Sequence, residues 1–121
     1  MRIYYHPKCS TCKSALKFVE AHFHESDYTL IDITLTPPSF PELEKALQFY
    51  QSNIKKLFNT SGIQYRELGL TKKLETMSEK DALTLLSQNG MLVKRPFLIE
   101  KETCLVGFNE TAWKTFASVY K

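Results

Sequence analysis

The chain has 121 residues, of which 43% are hydrophobic and 24% are charged, and its formal net charge is +3 at pH 7. These values fit one soluble globular domain that is long enough to bury a core. No run approaches 18 consecutive apolar residues, and no charged-then-apolar leader precedes the first predicted strand, so we expect a cytoplasmic protein without a membrane span or a secretory signal.

The charge and the cysteine count exclude two further classes. Three cysteines are too few, and odd in number, for a secreted disulfide scaffold. In a reducing compartment, a close pair of cysteines is catalytic, redox-sensing or metal-binding. Basic residues are scattered, with the densest spots at Lys55-Lys56 and Lys72-Lys73. We interpret these as solvated helix faces and expect no direct nucleic-acid partner.

The N-terminal third predicts a strand-helix-strand unit. Residues 1–5 have the β-branched and aromatic content of a strand, which Pro7 ends. A helix is predicted from about Ser10 to His24, because apolar residues recur there at helical spacing, namely Ala15, Leu16, Val19 and Phe23. Residues 28–33 form a second predicted strand, which should run parallel to the first.

A Cys-x-x-Cys motif lies where the first strand meets this helix. Cys9 falls at the predicted helix N-terminus, where unpaired N–H groups and the helix dipole lower the pKa of a thiol. Lys8 and Lys13 add positive charge beside the pair. Cys12 lies one turn later on the apolar stripe, so we expect it to stay protonated. The motif therefore predicts Cys9 as the nucleophile and Cys12 as the thiol that later displaces it.

The middle of the chain, residues 39–90, is predicted to be a helical insertion. Thr36-Pro37-Pro38 breaks the preceding pattern, and Ser39-x-x-Glu42 is a capping-box signature. Ser78-x-x-Asp81 predicts a second helix start, with Ala82, Leu85 and Leu86 directed inward and residues 88–90 forming its stop.

The C-terminal part predicts a hairpin and a helix. Residues 96–100 and 103–107 are apolar runs separated by Lys101-Glu102. Asn109 can cap a last helix, whose inner face is Trp113, Phe116, Ala117 and Tyr120. The order βαβ, helical insertion, ββα is the thioredoxin-type order. We therefore predict one α/β domain over residues 1–121, with a thioredoxin-like fold interrupted by helices.

Lys94-Arg95-Pro96 is the candidate substrate anchor. Arg95 carries a planar fork of donors that suits an oxyanion or a carboxylate. Pro96 lacks an N–H group and would leave a neighbouring backbone edge open to substrate. The alternative for Arg95 is a surface salt bridge.

A metal site is a weaker interpretation of the thiol pair. Cys9 and Cys12 have zinc-ligand spacing, and Cys104 or the histidines could complete a site, but structural zinc usually needs a second closely spaced ligand pair. Cys104 alternates with apolar neighbours in a predicted strand and is best read as a small core residue. His6 either polarises the thiols or simply ends the first strand.

Four segments of the chain resemble the arsenate reductase (ArsC) family, which includes the Spx-type regulators. They are Tyr-x-x-Pro-x-Cys at residues 4–9, Tyr-Arg-Glu-Leu-Gly-Leu at 65–70, Lys-Arg-Pro-Phe-Leu-Ile at 94–99 and Val-Gly-Phe-Asn-Glu at 106–110. The resemblance spans the whole chain. It implies a thioredoxin-like fold with a helical insert, a cis bond before Pro96, a nucleophile at Cys9 and an anion-binding Arg95.

The resemblance also implies two alternative functions. One is a thiol oxidoreductase of the arsenate-reductase-like type, in which Lys8, Arg95 and Pro96 contact substrate. It would bind no cofactor and would use an external thiol reductant such as glutathione with glutaredoxin, or thioredoxin. The other is a redox-sensing regulator of the Spx type, which binds the α-subunit of RNA polymerase.

Two positions depart from the arsenate reductases, and one segment departs from the regulators. The glutaredoxin-coupled enzymes have a lone nucleophilic cysteine and three arginines around the anion, whereas Asn59 and Gly107 stand here at two of the arginine positions. Spx-type regulators use a glycine of the inserted helices to contact the polymerase. Residues 50–53 here read Tyr-Gln-Ser-Asn, without glycine.

Overall fold

A computed structural model describes residues 1–120 as a four-stranded sheet with helices on both faces. The strands are β1 (Arg2–Tyr5), β2 (Thr29–Asp32), β3 (Phe97–Glu100) and β4 (Thr103–Val106). The helices are α1 (Ser10–His22), α2 (Phe40–Phe49), α3 (Ile63–Glu67), α4 (Leu70–Lys73), α5 (Glu79–Gln88) and α6 (Glu110–Val119). Short 3-10 turns cover Glu25–Asp27, Ile54–Leu57 and Gly90–Leu92.

The sheet order is β2-β1-β3-β4. Strands β1 and β2 are parallel, with Ile3 opposite Leu30, and α1 connects them as the sequence predicts. Strand β3 is antiparallel to both β1 and β4. The predicted hairpin is confirmed, with Lys101 at its turn in a left-handed conformation of φ 54°. The fold is thus of the thioredoxin-like α/β class, with helices inserted between the βαβ and ββα units.

Each face of the sheet supports its own core because side chains alternate along a strand. Ile3, Leu98 and Leu105 lie in the core shared with α1 and α6. Neighbouring strand residues such as Tyr4 and Phe97 lie in the core shared with the inserted helices. The sheet is therefore a middle layer between the terminal helices and the insertion.

Capping residues begin the helices where the sequence predicts. The Ser39 hydroxyl accepts a hydrogen bond from the N–H of Glu42, and the Glu42 carboxylate accepts one from the N–H of Ser39. The side chains of Ser78 and Asn109 cap α5 and α6 by accepting one hydrogen bond each, from the N–H groups of Asp81 and Ala112. The capping box predicted at Ser39 is therefore confirmed.

Two details of helix packing differ from the prediction. In α1 Phe18 is buried and Leu16 is only partly buried, and the helix ends at His22 rather than His24. In α5 Leu83 is buried, whereas Leu85, predicted to point inward, is only partly covered. In both helices the buried face is rotated from the one that the predicted spacing selects. None of the helices within residues 1–120 is both long enough and apolar enough to cross a bilayer.

Candidate active site

Cys9 is the N-cap residue of α1 and is half-buried at the end of β1. The N–H of Cys9 donates to the carbonyl of His6 over 3.1 Å, which closes a turn that contains Pro7. The Cys9 carbonyl then accepts the first helical hydrogen bond, from the N–H of Lys13, over 3.0 Å. Proline fixes φ at the second position of such a turn. The Pro7 turn thus sets the Cys9 sulfur at the leading edge of the helix.

Cys12 lies one turn further along α1 and is 1% exposed. Its Sγ accepts a hydrogen bond from the backbone N–H of His6 over 3.4 Å. Cys9, Cys12 and Cys104 are all free thiols. The pair therefore consists of one accessible and one covered sulfur, as the helical spacing of the sequence predicts.

The surroundings shift the pKa values of the two thiols in opposite directions. Burial raises the pKa of Cys9, but the backbone and thiol of Cys12, the backbone of Thr11 and the charge of Arg95 outweigh it, so the net pKa is lowered. Burial raises the pKa of Cys12 to about 12, and the neighbouring Cys9 adds to this rise. Of the two thiols, Cys9 is therefore the one on which the anion is favoured, whereas Cys12 keeps its proton.

An open cleft of about 430 Å³ lies in front of Cys9, and we call it the thiol cleft. Residues from four parts of the chain line it, namely Cys9, Thr11, Asn59, Ser61, Lys94, Arg95, Val106, Gly107, Phe108 and Asn109. All of its charged lining residues are cationic. The cleft thus favours a substrate with negative charge near its reactive atom.

A short antiparallel pairing brings the insertion to this cleft. Phe58 pairs with Val93, the N–H of Lys94 donates to the carbonyl of Leu57 over 2.8 Å, and the N–H of Asn59 donates to the carbonyl of Leu92 over 2.7 Å. These bonds fix Asn59 on one wall and Lys94 with Arg95 on the other. Nothing local in the sequence indicates this pairing.

A backbone carbonyl four residues earlier in the chain holds the Arg95 guanidinium. Arg95 Nη1 donates to the carbonyl of Met91 over 3.2 Å. Within residues 1–120, no carboxylate lies within salt-bridge distance of Arg95. The guanidinium therefore keeps donors free for a ligand, and the salt-bridge alternative has no partner in the described chain.

Gly107 lines the thiol cleft and is hydrogen-bonded to the backbone of the buried Pro96. The Arg95–Pro96 peptide bond is cis, as the resemblance implies. The Pro96 carbonyl accepts a hydrogen bond from the N–H of Gly107 over 2.8 Å, and the Gly107 carbonyl accepts one from Trp113 Nε1 over 3.0 Å. Gly107 has φ 70°, and a Cβ there would approach Lys94 Cε to 3.1 Å. A larger residue would be strained at this position.

The structure places the other predicted residues away from the cleft lining. Pro96 is buried and contributes its backbone. Lys8 is exposed, and its N–H donates to Nδ1 of His6 over 3.0 Å. Cys104 is fully buried in β4, where burial raises its pKa. Within residues 1–120, no cluster of three or more His, Cys, Asp and Glu side chains could hold a metal ion.

Sequence reasoning missed Thr11, Ser61 and Phe108 as lining residues. Thr11 lies inside the Cys-x-x-Cys motif, so its position was available from the motif itself. Ser61 and Phe108 come from loops whose positions depend on the pairing of Phe58 with Val93 and on the packing of Trp113.

Comparison with known proteins identifies the family and the fold. The family model described as "ArsC family" matches residues 4–116. The uncharacterized protein YusI of Bacillus subtilis (strain 168) is 44% identical over 91% of this chain and 92% of its own length. A crystal structure of an ArsC family related protein from Bacteroides fragilis is 38% identical, covers 94% of each chain and superposes with a TM-score of 0.85.

A more distant relative has a regulatory name. The global transcriptional regulator Spx of Streptococcus pyogenes serotype M1 is 27% identical over 93% of this chain and 81% of its own length.

Proposed function

This chain belongs to the ArsC family, and we propose that it is a thiol–disulfide oxidoreductase. Cys9 is the nucleophile, Cys12 is the resolving thiol, and Arg95 stabilises negative charge in the thiol cleft. Lys8 adds positive charge near the helix N-terminus, and the Pro96 backbone supports Gly107 in the thiol cleft. The substrate is a disulfide, and an external thiol system restores the reduced enzyme.

One observation carries the proposal: the two sulfurs of the motif differ in access. Cys9 lines an open cleft with a cationic rim, whereas Cys12 is 1% exposed directly behind it. Nucleophilic attack requires an accessible thiolate, and resolution requires a second thiol that waits until a bond has formed on the first. The lowered pKa of Cys9 and the raised pKa of Cys12 support the same assignment, with Cys9 as the nucleophile and Cys12 as the resolving thiol.

In the first step, the Cys9 thiolate attacks one sulfur of the substrate disulfide. A Cys9–substrate disulfide forms, the substrate S–S bond breaks, and the departing sulfur leaves as a thiolate that takes a proton from water. Arg95 faces this cleft and can stabilise the charge on the departing sulfur. The positive charge of the thiol cleft thus assists the departure of the substrate thiolate.

In the second step, Cys12 attacks Cys9 Sγ. Adduct formation removes the negative charge of Cys9, and the Cys9 charge is one reason for the raised pKa of Cys12. The pKa of Cys12 therefore falls when it is needed, and its proton passes to solvent. The Cys9–Cys12 disulfide forms and the second substrate thiolate leaves, so that the substrate gains two electrons and the pair loses two.

Disulfides are favoured over arsenate as the substrate. Asn59 and Gly107, which stand at two arginine positions of the arsenate reductases, both line the thiol cleft beside Arg95. Arsenate is an oxyanion whose binding requires positive charge, and one guanidinium with Lys94 supplies less of it than three arginines. Cys12 meanwhile supplies an internal resolving thiol, which suits disulfide chemistry.

The test is capture of the first intermediate. A Cys12→Ser variant should accumulate one equivalent of mixed disulfide on Cys9 when mixed with a model disulfide, as located by mass spectrometry of peptides. A Cys104→Ala variant is the matched control and should release both substrate thiols without retaining an adduct. Adduct on Cys104, or no adduct at all, would reject the proposal.

The second candidate is a redox-sensing regulator that binds the RNA polymerase α-subunit. The match to Spx across 93% of the chain favours it. Turnover separates the two functions. An enzyme reduces a model disulfide repeatedly with glutathione and glutaredoxin, or with thioredoxin, and loses this activity with Cys9→Ser. A regulator shows no turnover but binds purified α-subunit differently in its reduced and oxidised states.

A further inference from the structure

A second basic cleft adjoins the thiol cleft. It has a volume of about 210 Å³ and is lined by Lys55, Lys56, Phe58, Thr60, Lys94 and Val106, and we call it the lysine cleft. Lys94 and Val106 line both clefts. The two clefts therefore form one continuous surface, which extends from Cys9 to Lys55, Lys56 and Lys94.

The backbone around the lysine cleft is fixed by hydrogen bonds. The Lys94 N–H donates to the carbonyl of Leu57, directly after Lys56, over 2.8 Å. The Lys56 ammonium lies 5.5 Å from the centre of the Tyr50 ring, and the Tyr50 hydroxyl accepts a hydrogen bond from the N–H of Val106 over 3.0 Å. The Lys56 ammonium group is thus held beside Val106, which lines both clefts.

The charge of the lysine cleft is uncompensated within residues 1–120. None of the ion pairs in this part of the chain involves Lys55, Lys56 or Lys94. No carboxylate lines either cleft. The other adjacent pair of lysines, Lys72-Lys73, lines neither of these clefts and serves as an internal reference.

We propose that the lysine cleft binds an acidic side chain close to the reactive cysteine of a peptide or protein disulfide. This inference rests on the proposed function, because it names the class of disulfide that Cys9 attacks. A cleft of this size accommodates an Asp or Glu side chain, and clustered ammonium groups attract a carboxylate and raise the encounter rate. Acidic disulfide substrates should therefore react faster than neutral ones.

The experiment uses capped, amidated peptides with one cysteine, each as its mixed disulfide with 2-thiopyridine. The residues on both sides of the cysteine are Glu, Gln or Lys. In the Cys12→Ser protein, the Cys9 thiolate attacks the peptide sulfur, the peptide–pyridine S–S bond breaks, and 2-thiopyridine leaves with a proton from water. Its absorbance gives the rate of attack.

At low ionic strength, the Glu peptide should react about threefold to tenfold faster than the Gln peptide, as expected for two exposed ion pairs. The Lys peptide should be the slowest, and added salt should shrink the differences. The Lys55→Gln/Lys56→Gln variant should lose most of the preference for Glu, since only Lys94 and Arg95 remain, and should keep its rate with the Gln peptide. The matched Lys72→Gln/Lys73→Gln variant should retain the preference.

Each other outcome has a defined meaning. Equal rates for the Glu and Gln peptides would overturn the proposal that the lysine cleft binds an acidic side chain, and would leave the proposed function unaffected. A preference that is undiminished in Lys55→Gln/Lys56→Gln, or that is lost equally in Lys72→Gln/Lys73→Gln, would also overturn it. If no peptide forms an adduct on Cys9, the proposed function fails, and this inference fails with it.

Discussion

The backbone N–H of His6 donates a hydrogen bond to Cys12 Sγ over 3.4 Å. This contact joins the end of β1 to the buried sulfur, while the turn that His6 begins carries Cys9 to the surface. The same few residues thus separate the two thiols into a covered one and an accessible one.

The pKa of Cys12 should depend on Cys9. In a Cys9→Ser variant, the charge and thiol of Cys9 no longer raise the pKa of Cys12, so that pKa should fall below its value of about 12. NMR shifts of isotopically labelled cysteine Cβ carbons, followed with pH, measure this directly. A Cys104→Ala variant should leave the Cys12 pKa unchanged. An unchanged pKa in Cys9→Ser would remove the basis for the second step of the mechanism.

Arg95 should lower the pKa of Cys9. Its charge is one of the influences that favour the thiolate, so Arg95→Gln should raise the Cys9 pKa and slow alkylation at neutral pH by about twofold to fivefold. The pH dependence of the alkylation rate by iodoacetamide gives both quantities. Arg66→Gln, an exposed charge change in α3, is the control and should match the wild type. If Arg66→Gln shifted the Cys9 pKa as much as Arg95→Gln does, the net charge of the protein and not the position of Arg95 would be responsible.

Stability should fall at alkaline pH. Burial raises the pKa values of Cys12, Cys104 and Tyr4 in the folded protein. The unfolded chain loses these protons first, from about pH 8.5 for its thiols. Unfolding then releases protons. The contribution of these three groups to the free energy of unfolding is therefore fully present below that pH and declines above it. Urea denaturation of the reduced protein between pH 7 and pH 10 should show the decline, and Cys104→Ala should make it shallower. A free energy that rises over this range would contradict the sign.

The turn after α2 should be improved by glycine. Gln51 and Ser52 adopt φ values of 56° and 66°, and the Ser52 N–H donates to the carbonyl of Leu47 over 2.8 Å. A left-handed conformation is costly for residues with a Cβ, so Ser52→Gly should stabilise the fold by up to about 1 kcal/mol. Gln48→Gly, inside the helix, should instead destabilise it by about 1 kcal/mol. Urea denaturation compares both, and a destabilised Ser52→Gly would show that the serine side chain contributes more than the strain costs.

Local patterns predicted the main elements and their order along the chain. The spacing of Cys9 and Cys12 on an amphipathic helix was enough to predict which sulfur is covered, because one helical turn separates a cap from a core position. Ser39 and Asn109 marked helix starts because their side chains act on neighbouring backbone groups. These features depend on residues close together in the sequence.

The thiol cleft depends on distant residues, and the sequence alone did not reveal it. Ser61 lines the same cleft as Cys9 because Phe58 pairs with Val93 across the insertion. Phe18 replaces Leu16 in the core because the partner surface, which includes Trp113, selects the side chain that fits. Long-range packing decides such choices, and periodicity in one helix carries no information about its partner.

A single-turnover reaction tests the central claim most directly. One equivalent of a peptide disulfide, mixed with the reduced wild-type protein without other reductant, should release two free thiols and leave a Cys9–Cys12 disulfide that mass spectrometry locates. Cys12→Ser should release only one thiol, and Cys9→Ser should release none. Two thiols released by Cys9→Ser, or a wild-type protein whose Cys9 and Cys12 both remain reduced, would contradict the account.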